Sequence, residues 1–139
     1  MVPTEQTGRD PQYSNVLGLS SAVERPVVLV IDDEPLVLRF MVAALGDRYH
    51  VLTAGDGFDA LRLIETHAGP VSLVICDWHL PRMEGIEVGL HIRRKRPGTP
   101  VLLVSGEPCP EPLPGGFSAF PKPFTARELR ERVGGELRG

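Results

Sequence analysis

Four short apolar runs, separated by segments of helical periodicity, constrain the fold of this chain more than any other feature. Runs of this length that end at polar residues are typical of buried strands in a parallel sheet. Because the runs alternate with helical segments, we predict an α/β fold with helices on both faces of the sheet. The four predicted strands are Val27–Ile31, His50–Ala54, Val71–Asp77 and Val101–Val104.

The segments between these strands carry apolar stripes at helical spacing. One predicted helix begins at Pro35, a favourable first helical residue, and ends at Gly46. Two more span about 58–68 and 85–96. The last predicted helix begins near Thr125, where Glu128 completes a capping box. The sequence therefore predicts a helix after each strand but the fourth.

The segment after the fourth strand differs from the others because it is rich in proline. Prolines at alternate positions between Glu107 and Gly116 remove backbone donors and clash with a preceding helical turn. We therefore expect an extended loop here, followed by a short fifth strand over Phe117–Phe120.

Length and charge limit the organisation and the partners of the chain. The 139 residues suffice for one domain, and we expect residues 1–25 to be a flexible N-terminal segment and residues 26–139 the domain. A net charge of -3 gives no whole-chain argument for binding nucleic acid or an anionic membrane. Cys76 and Cys109 do not form a disulfide framework, and no apolar run has membrane-spanning length. We therefore expect a cytoplasmic protein.

Polar side chains follow the predicted strands at the points where they end. Alone, Asp77 would be interpreted as a strand terminus or helix cap, but Asp32, Asp33, Ser105 and Lys122 occupy corresponding places. The carboxyl ends of parallel strands share one edge of the sheet, so these groups can converge. Three neighbouring carboxylates repel one another unless a cation is present, and their oxygens suit Mg²⁺. The sequence thus predicts an acidic magnesium site.

The same groups suggest a chemistry. A carboxylate such as Asp77 can attack a phosphorus centre and form an aspartyl phosphate. Lys122 offers a positive charge for a phosphoryl oxygen, and Ser105 offers a hydroxyl donor. The pattern therefore favours phosphoryl transfer to the chain itself.

Four segments, in this order, resemble the receiver domain of the two-component response-regulator family. They are Val28–Pro35, Leu73–Gly85, Pro100–Gly106 and Lys122–Phe124, and the resemblance covers about 26–133. It implies a flavodoxin-like, doubly wound sheet of five parallel strands in the order 2-1-3-4-5.

The resemblance also implies roles for single residues at the metal site. Asp77 would be the phosphoacceptor. Asp33 would bind Mg²⁺ directly and Asp32 largely through water, while the backbone carbonyl of His79 would be a further protein ligand.

Around the phosphoryl group, the resemblance implies that Ser105 donates a hydrogen bond and that Lys122 forms an ion pair. The Lys122–Pro123 peptide bond is expected to be cis. His79 and Glu107 occupy positions whose side chains tune hydrolysis in the family, although both could equally be solvated rim residues.

The chain departs from the family between Ser105 and Lys122. This segment is shorter than usual, so we expect the proline-rich loop to replace the fourth helix of the family. Ala119 stands where the family has an aromatic switch residue, and Phe120 follows it. We therefore expect the usual coupling between phosphorylation and this surface to be altered.

Three functions are compatible with these features. The first is a phosphorylation-dependent signalling receiver, which is not an enzyme acting on outside substrates. Its expected partners are a sensor histidine kinase or histidine phosphotransfer protein and a downstream protein, with a homodimer as a further option and with no direct contact to nucleic acid or membrane. The second is a receiver-fold interaction module that works without phosphorylation. The third, a phosphohydrolase, has the least support because no substrate cap is visible.

Two questions stay open at this level. The chain could be a stand-alone receiver or a receiver from a hybrid kinase or longer regulator. The basic run Arg93–Arg96 could contact nucleic acid, but a solvated helix end, where positive charge is favourable, is the better interpretation.

Overall fold

The computed structural model describes residues 24–138 and has one sheet of five parallel strands in the order β2-β1-β3-β4-β5. The predicted doubly wound fold and strand order are confirmed. The expectation of a flexible segment over residues 1–25 falls almost entirely outside the described residues. The elements are β1 Val27–Ile31, α1 Pro35–Leu45, β2 His50–Ala54, α2 Gly57–Thr66, β3 Leu73–Asp77, α3 Gly85–Lys95, β4 Val101–Ser105, β5 Phe117–Pro121 and α4 Ala126–Arg138.

Alternating side chains of the central strands build two cores, one on each face of the sheet. In β1, Leu29 and Ile31 pack with α2 and α3, whereas Val28 and Val30 pack with α1 and α4. All four side chains are almost fully buried, and each such burial stabilises the fold by about 1.5–3 kcal/mol. The two cores hold the carboxyl ends of the strands at one rigid edge.

The proline-rich segment between β4 and β5 forms no helix anywhere in residues 106–116, all of which the structure describes. Leu113 packs against the core on the side of α2 and α3. Phe117 of β5 lies against Gly89 of α3, where an added Cβ would come within 2.5 Å of the aromatic ring. The predicted loop is thus present. The helix labelled α4 here, Ala126–Arg138, follows β5 and is not the missing helix between β4 and β5.

The element boundaries differ from the predicted ones by a few residues. The strand β3 begins at Leu73 rather than Val71. Val71 is buried, but its carbonyl accepts a hydrogen bond from the hydroxyl of Thr99 instead of joining the sheet. At the start of α4 the capping box forms as predicted, with Thr125 and Glu128 each donating a backbone N–H to the other's side chain at 2.8 and 3.0 Å.

Arg96 holds the C-terminal end of α2 at the amino edge of the sheet. Its guanidinium donates hydrogen bonds to the carbonyls of Gly69, Ile64 and His67 at 2.8, 3.0 and 2.9 Å. The last carbonyls of a helix lack partners within the helix, so this side chain supplies the missing donors. Arg96 therefore joins α3 to α2.

The other members of the basic run are also engaged within the protein. Arg93 donates to the carbonyl of Thr99 at 2.5 Å, Arg94 contacts His91 at 2.9 Å, and Lys95 pairs with Glu65 at 3.0 Å. This favours the interpretation of the run as a helix end over that of a nucleic-acid patch. Among residues 24–138, no helix is both long and apolar enough to cross a bilayer.

Candidate functional site

Three carboxylates meet at the carboxyl edge of the sheet. Asp32 and Asp33 follow β1, and Asp77 ends the neighbouring strand β3. Pairing of Ile31 with Cys76 sets the two strand ends side by side. One carboxylate oxygen from each aspartate lies within 4.8 Å of the others. The convergence predicted from strand order is therefore present in the fold.

Asp32 is the buried member of this cluster, with 3% of its surface exposed. Burial raises the pKa of its carboxyl to about 6, and the negative charge of Asp77 acts in the same direction. The backbone N–H of Glu34, which donates to Asp32 Oδ1 at 2.9 Å, opposes this shift only in part. The ionised form of Asp32 is therefore less favourable than that of an exposed aspartate, and a nearby cation would stabilise it.

The donor set fits a hard divalent cation. Carboxylate oxygens are the ligands that Mg²⁺ prefers, and Mg²⁺ commonly takes one or two carboxylates and keeps several waters. Asp33 is exposed and Asp77 is partly buried, so the cluster is open to solvent on one side. Asp32, Asp33 and Asp77 could together hold such an ion.

Asp77 also has a positive partner. Lys122 Nζ lies 3.7 Å from Asp77 Oδ2, and the backbone N–H of His79 donates to Asp77 Oδ1 at 3.3 Å. Lys122 is positioned by its backbone, because its N–H donates to the carbonyl of Ser105 at 2.8 Å. The Lys122–Pro123 peptide bond is cis, as expected.

Ser105 ends β4 on the same edge and is 4% exposed. Its hydroxyl oxygen accepts a hydrogen bond from the backbone N–H of Glu107 at 3.0 Å. This bond leaves the hydroxyl hydrogen available to an acceptor. Ser105 can therefore donate to an oxyanion at this edge.

Gly85 allows the loop after β3 to close tightly behind the acidic cluster. Its N–H donates to the carbonyl of Trp78 at 2.7 Å. A Cβ at Gly85 would lie 2.2 Å from the carbonyl oxygen of Asp77. Because that neighbour is backbone, any side chain here would displace the chain next to Asp77. Trp78 itself is partly exposed.

His79 lies at the rim of the site between two acidic side chains. Its Nδ1 is 3.4 Å from Glu84 Oε1, and its Nε2 is 3.8 Å from Glu107 Oε1. The sequence flagged His79 and Glu107 but missed Glu84. No local pattern could have revealed it, because the contact depends on how the loop between β3 and α3 turns back.

A second contact of this loop was also missed. Arg82 has a φ of 68°, its guanidinium lies 4.9 Å from the ring centroid of Phe58, and it pairs with Asp56 at 3.6 Å. Asp56 is the N-cap of α2. The loop that follows Asp77 is thus tied to the start of α2.

The position of the family's aromatic switch has a different environment here. Phe120 stacks on Phe124 with centroids 4.5 Å apart and packs against the core on the side of α1 and α4. The backbone carbonyl of Ala119 accepts a hydrogen bond from the guanidinium of Arg132 at 2.8 Å. Phe120 is therefore a packing residue of the core beside α1 and α4.

Comparison with known proteins shows which family of proteins this chain is similar to. Residues 28–134 match the model of the response regulator receiver domain. The chain is 34% identical over 117 residues to the probable transcriptional regulatory protein TcrX of Mycobacterium tuberculosis, covering 80% of this chain and 49% of that protein. It is 33% identical over 112 residues to the sensor kinase CckA of Brucella abortus, covering 76% of this chain and 12% of that protein. The chain thus spans about half or less of these two relatives.

Solved structures of receiver domains and response regulators also resemble this chain. A CheY-like receiver domain from Methanospirillum hungatei aligns with a TM-score of 0.75 at 28% identity, covering 83% of this chain and 95% of the other. The response regulator TrrA of Thermotoga maritima, solved in complex with Mg²⁺ and BeF, aligns with a TM-score of 0.71 at 28% identity, covering 81% and 99%. The fold, the order of the segments and these similarities lead to one conclusion: the chain belongs to the response regulator receiver domain family of two-component systems.

Proposed function

We propose that this chain is a phosphorylation-dependent receiver in which Asp77 accepts a phosphoryl group from a phosphohistidine donor. The donor would be a sensor histidine kinase or a histidine phosphotransfer protein, and residues 26–139 would form the responsible domain. The contact between Lys122 Nζ and Asp77 Oδ2, at 3.7 Å within the acidic cluster, is the observation that carries the proposal.

The reaction transfers the phosphoryl group without a change of redox state. A carboxylate oxygen of Asp77 forms a bond to phosphorus while the bond between phosphorus and the donor's histidine nitrogen breaks, and that nitrogen keeps the bonding electron pair. Asp32, Asp33, Asp77 and the backbone carbonyl of His79 would hold Mg²⁺, which neutralises phosphoryl oxygens when bound.

Two side chains would stabilise the product. Lys122 would pair with a phosphoryl oxygen, and Ser105 would donate its hydroxyl hydrogen to another. Both residues already lie at the edge that carries Asp77. This arrangement supports a chain that keeps its phosphoryl group and loses it slowly to water, rather than an enzyme that turns over outside phosphoesters.

The direct test is intact mass after incubation with Mg²⁺ and acetyl phosphate. We expect one added phosphoryl group on the wild-type protein and none on Asp77→Asn. Asp47→Asn, which removes an exposed carboxylate outside the cluster, is the matched control and should be labelled like the wild type.

The competing function is an interaction module that works without phosphorylation. The absence of a helix from residues 106–116 favours it, because the family's usual switching surface is altered there. The receiver proposal would be contradicted by a protein that binds Mg²⁺ and beryllofluoride but carries no phosphoryl group, even at early times of the incubation with acetyl phosphate. Failure to bind either ligand would support the competing function.

His79 and Glu107 would tune the lifetime of the phosphoryl group. The imidazole lies between Glu84 and Glu107 at the rim, where it can restrict the approach of water. We expect His79→Ala to shorten the lifetime several-fold, which corresponds to about 1 kcal/mol of activation free energy. Glu107→Gln should have a smaller effect in the same direction, and Glu111→Gln should have none. An unchanged lifetime in His79→Ala would show that His79 is a solvated rim residue.

A further inference from the structure

Arginines from two distant parts of the sequence converge on one groove that shares no residue with the acidic cluster. The groove lies between α4 and the turn after α1 and has a volume of about 420 Å³. Four of its lining residues are arginines and one is acidic, in a chain whose overall charge is -3. It is lined by Arg48, Arg127, Arg130, Glu131, Gly134 and Arg138.

The spacing along α4 explains how the helix contributes to this groove. Residues three or four apart lie on one face of a helix, so Arg127, Arg130 and Arg138 follow the same side as Gly134. A Cβ at Gly134 would lie 3.2 Å from Arg138 Nη1. The small residue at position 134 therefore lets the guanidinium of Arg138 fold back along the helix. Packing of α1 on α4 through their shared core brings Arg48 to the opposite side.

Three of these arginines have no acidic partner among residues 24–138. Arg127 pairs with Glu131 at 3.5 Å, but Arg48, Arg130 and Arg138 have no acidic side chain of the described residues within 4.0 Å. Guanidinium groups stay protonated at all accessible pH values and bind phosphate or carboxylate oxygens through paired N–H donors. The run Arg93–Arg96, in contrast, is already hydrogen-bonded within the fold.

We propose that this groove binds a compact polyanion that carries a diphosphate or triphosphate group. A volume of about 420 Å³ falls in the range of small-ligand sites, which span roughly 300–1,000 Å³. Apart from Gly134 and the arginine stems, the part of the lining formed by residues 24–138 offers no apolar side chain that would hold a peptide backbone or stack on a base. High charge density in a small volume therefore suits the phosphate chain better than a peptide with dispersed carboxylates.

The test is calorimetric titration of the full chain with inorganic tripolyphosphate, in EDTA and at low salt. EDTA removes metal ions, so the acidic cluster repels the anion, and Asp77→Asn should bind tripolyphosphate like the wild type. We expect saturable binding that weakens as salt rises, because exposed charges are screened. The double variant Arg48→Gln/Arg130→Gln should bind at least about tenfold more weakly.

A matched control removes two arginines on the other face of the sheet. Arg62→Gln/Arg94→Gln changes the net charge equally but leaves the groove intact, and its affinity should stay within about twofold of the wild type. Thermal unfolding provides a second measurement, since a ligand of the folded state raises the melting temperature.

Three results would overturn the proposal. One is the absence of saturable binding in the wild type. Another is equal weakening in the two double variants, which would show that only net charge matters. The third is tighter binding of a glutamate-rich peptide or of duplex DNA than of tripolyphosphate through Arg48 and Arg130. Titration with a nucleoside triphosphate then distinguishes a nucleotide from a free oligophosphate, since the proposed contacts involve the phosphates alone.

Discussion

At the carboxyl ends of its strands this sheet gathers Asp32, Asp33 and Asp77 within 4.8 Å of one another, whereas at the amino ends Arg96 and Thr99 donate to backbone carbonyls. The first region holds like charges that lack enough opposite charge, whereas in the second the side chains of Arg96 and Thr99 are hydrogen-bonded to carbonyls of neighbouring segments. Both belong to the same rigid sheet.

The difference shows how one fold separates binding from stability. Charges that are unsatisfied in the protein alone can bind an ion or a phosphoryl group, but they lower the stability of the folded state. Hydrogen bonds to otherwise unpaired carbonyls stabilise the fold and leave little for a ligand to bind. Substitutions at the two edges should therefore change stability in opposite directions.

The largest change in stability is expected at the amino edge. Arg96→Ala removes donors from three carbonyls and should lower the free energy of unfolding by about 2–4 kcal/mol. Arg94→Ala, which loses only a contact to His91, should cost less than about 0.5 kcal/mol. Urea unfolding measures both, and phosphorylation of the folded fraction should persist. If the two substitutions lower the free energy of unfolding equally, the stabilising role of the hydrogen bonds at this edge is contradicted.

The opposite sign is expected at the acidic edge. Asp32→Asn removes a buried charge but keeps an oxygen for the N–H of Glu34, so without metal it should raise the free energy of unfolding by about 1–3 kcal/mol. The same variant should bind Mg²⁺ at least about tenfold more weakly. Asp47→Asn is the exposed control. A less stable Asp32→Asn would contradict the charge imbalance inferred here.

A smaller effect is expected at Thr99, whose hydroxyl donates to the carbonyl of Val71 at 2.8 Å. Thr99→Val leaves that buried carbonyl without its donor and should cost about 1–2 kcal/mol. Thr99→Ser keeps the hydroxyl and loses one methyl group, for about 0.8 kcal/mol. If serine proves the more damaging replacement, methyl packing rather than the hydrogen bond holds this edge.

Stability should also depend on pH through Asp32. Its pKa is raised in the folded protein to about 6 from 3.8, so the folded state takes up a proton more readily than the unfolded state. The resulting stabilisation is complete below pH 3.8 and is lost as pH rises through 6. Between pH 7 and 5, in EDTA, the wild type should gain about 1 kcal/mol relative to Asp32→Asn. Parallel profiles for the two proteins would exclude this contribution.

The sequence predicted the fold and the convergence of the three aspartates because both follow from local patterns. Apolar runs fix the strands, Pro35 and Thr125 mark helix starts, and strand order then brings Asp32, Asp33 and Asp77 together. The segments that resemble the family make this inference specific. The roles of these residues in binding Mg²⁺ and accepting a phosphoryl group stay proposals that labelling will test.

Other contacts could not be predicted because they join segments with no shared local signal. Glu84 reaches His79 only because the loop after β3 turns back, and Arg82 reaches Asp56 through a left-handed backbone conformation. The basic run Arg93–Arg96 is conspicuous in sequence, yet its hydrogen-bond partners lie in distant segments.

The sequence by itself determined the order of strands and helices, the polar residues at the strand ends and the loop that replaces a helix, because periodicity and proline act over a few neighbouring residues. The tertiary structure decided which charges are paired. Arg96 is hydrogen-bonded to carbonyls of another segment, while Arg48 and Arg130 meet at an open groove, because only the packing of helices on the sheet sets side chains from distant segments side by side.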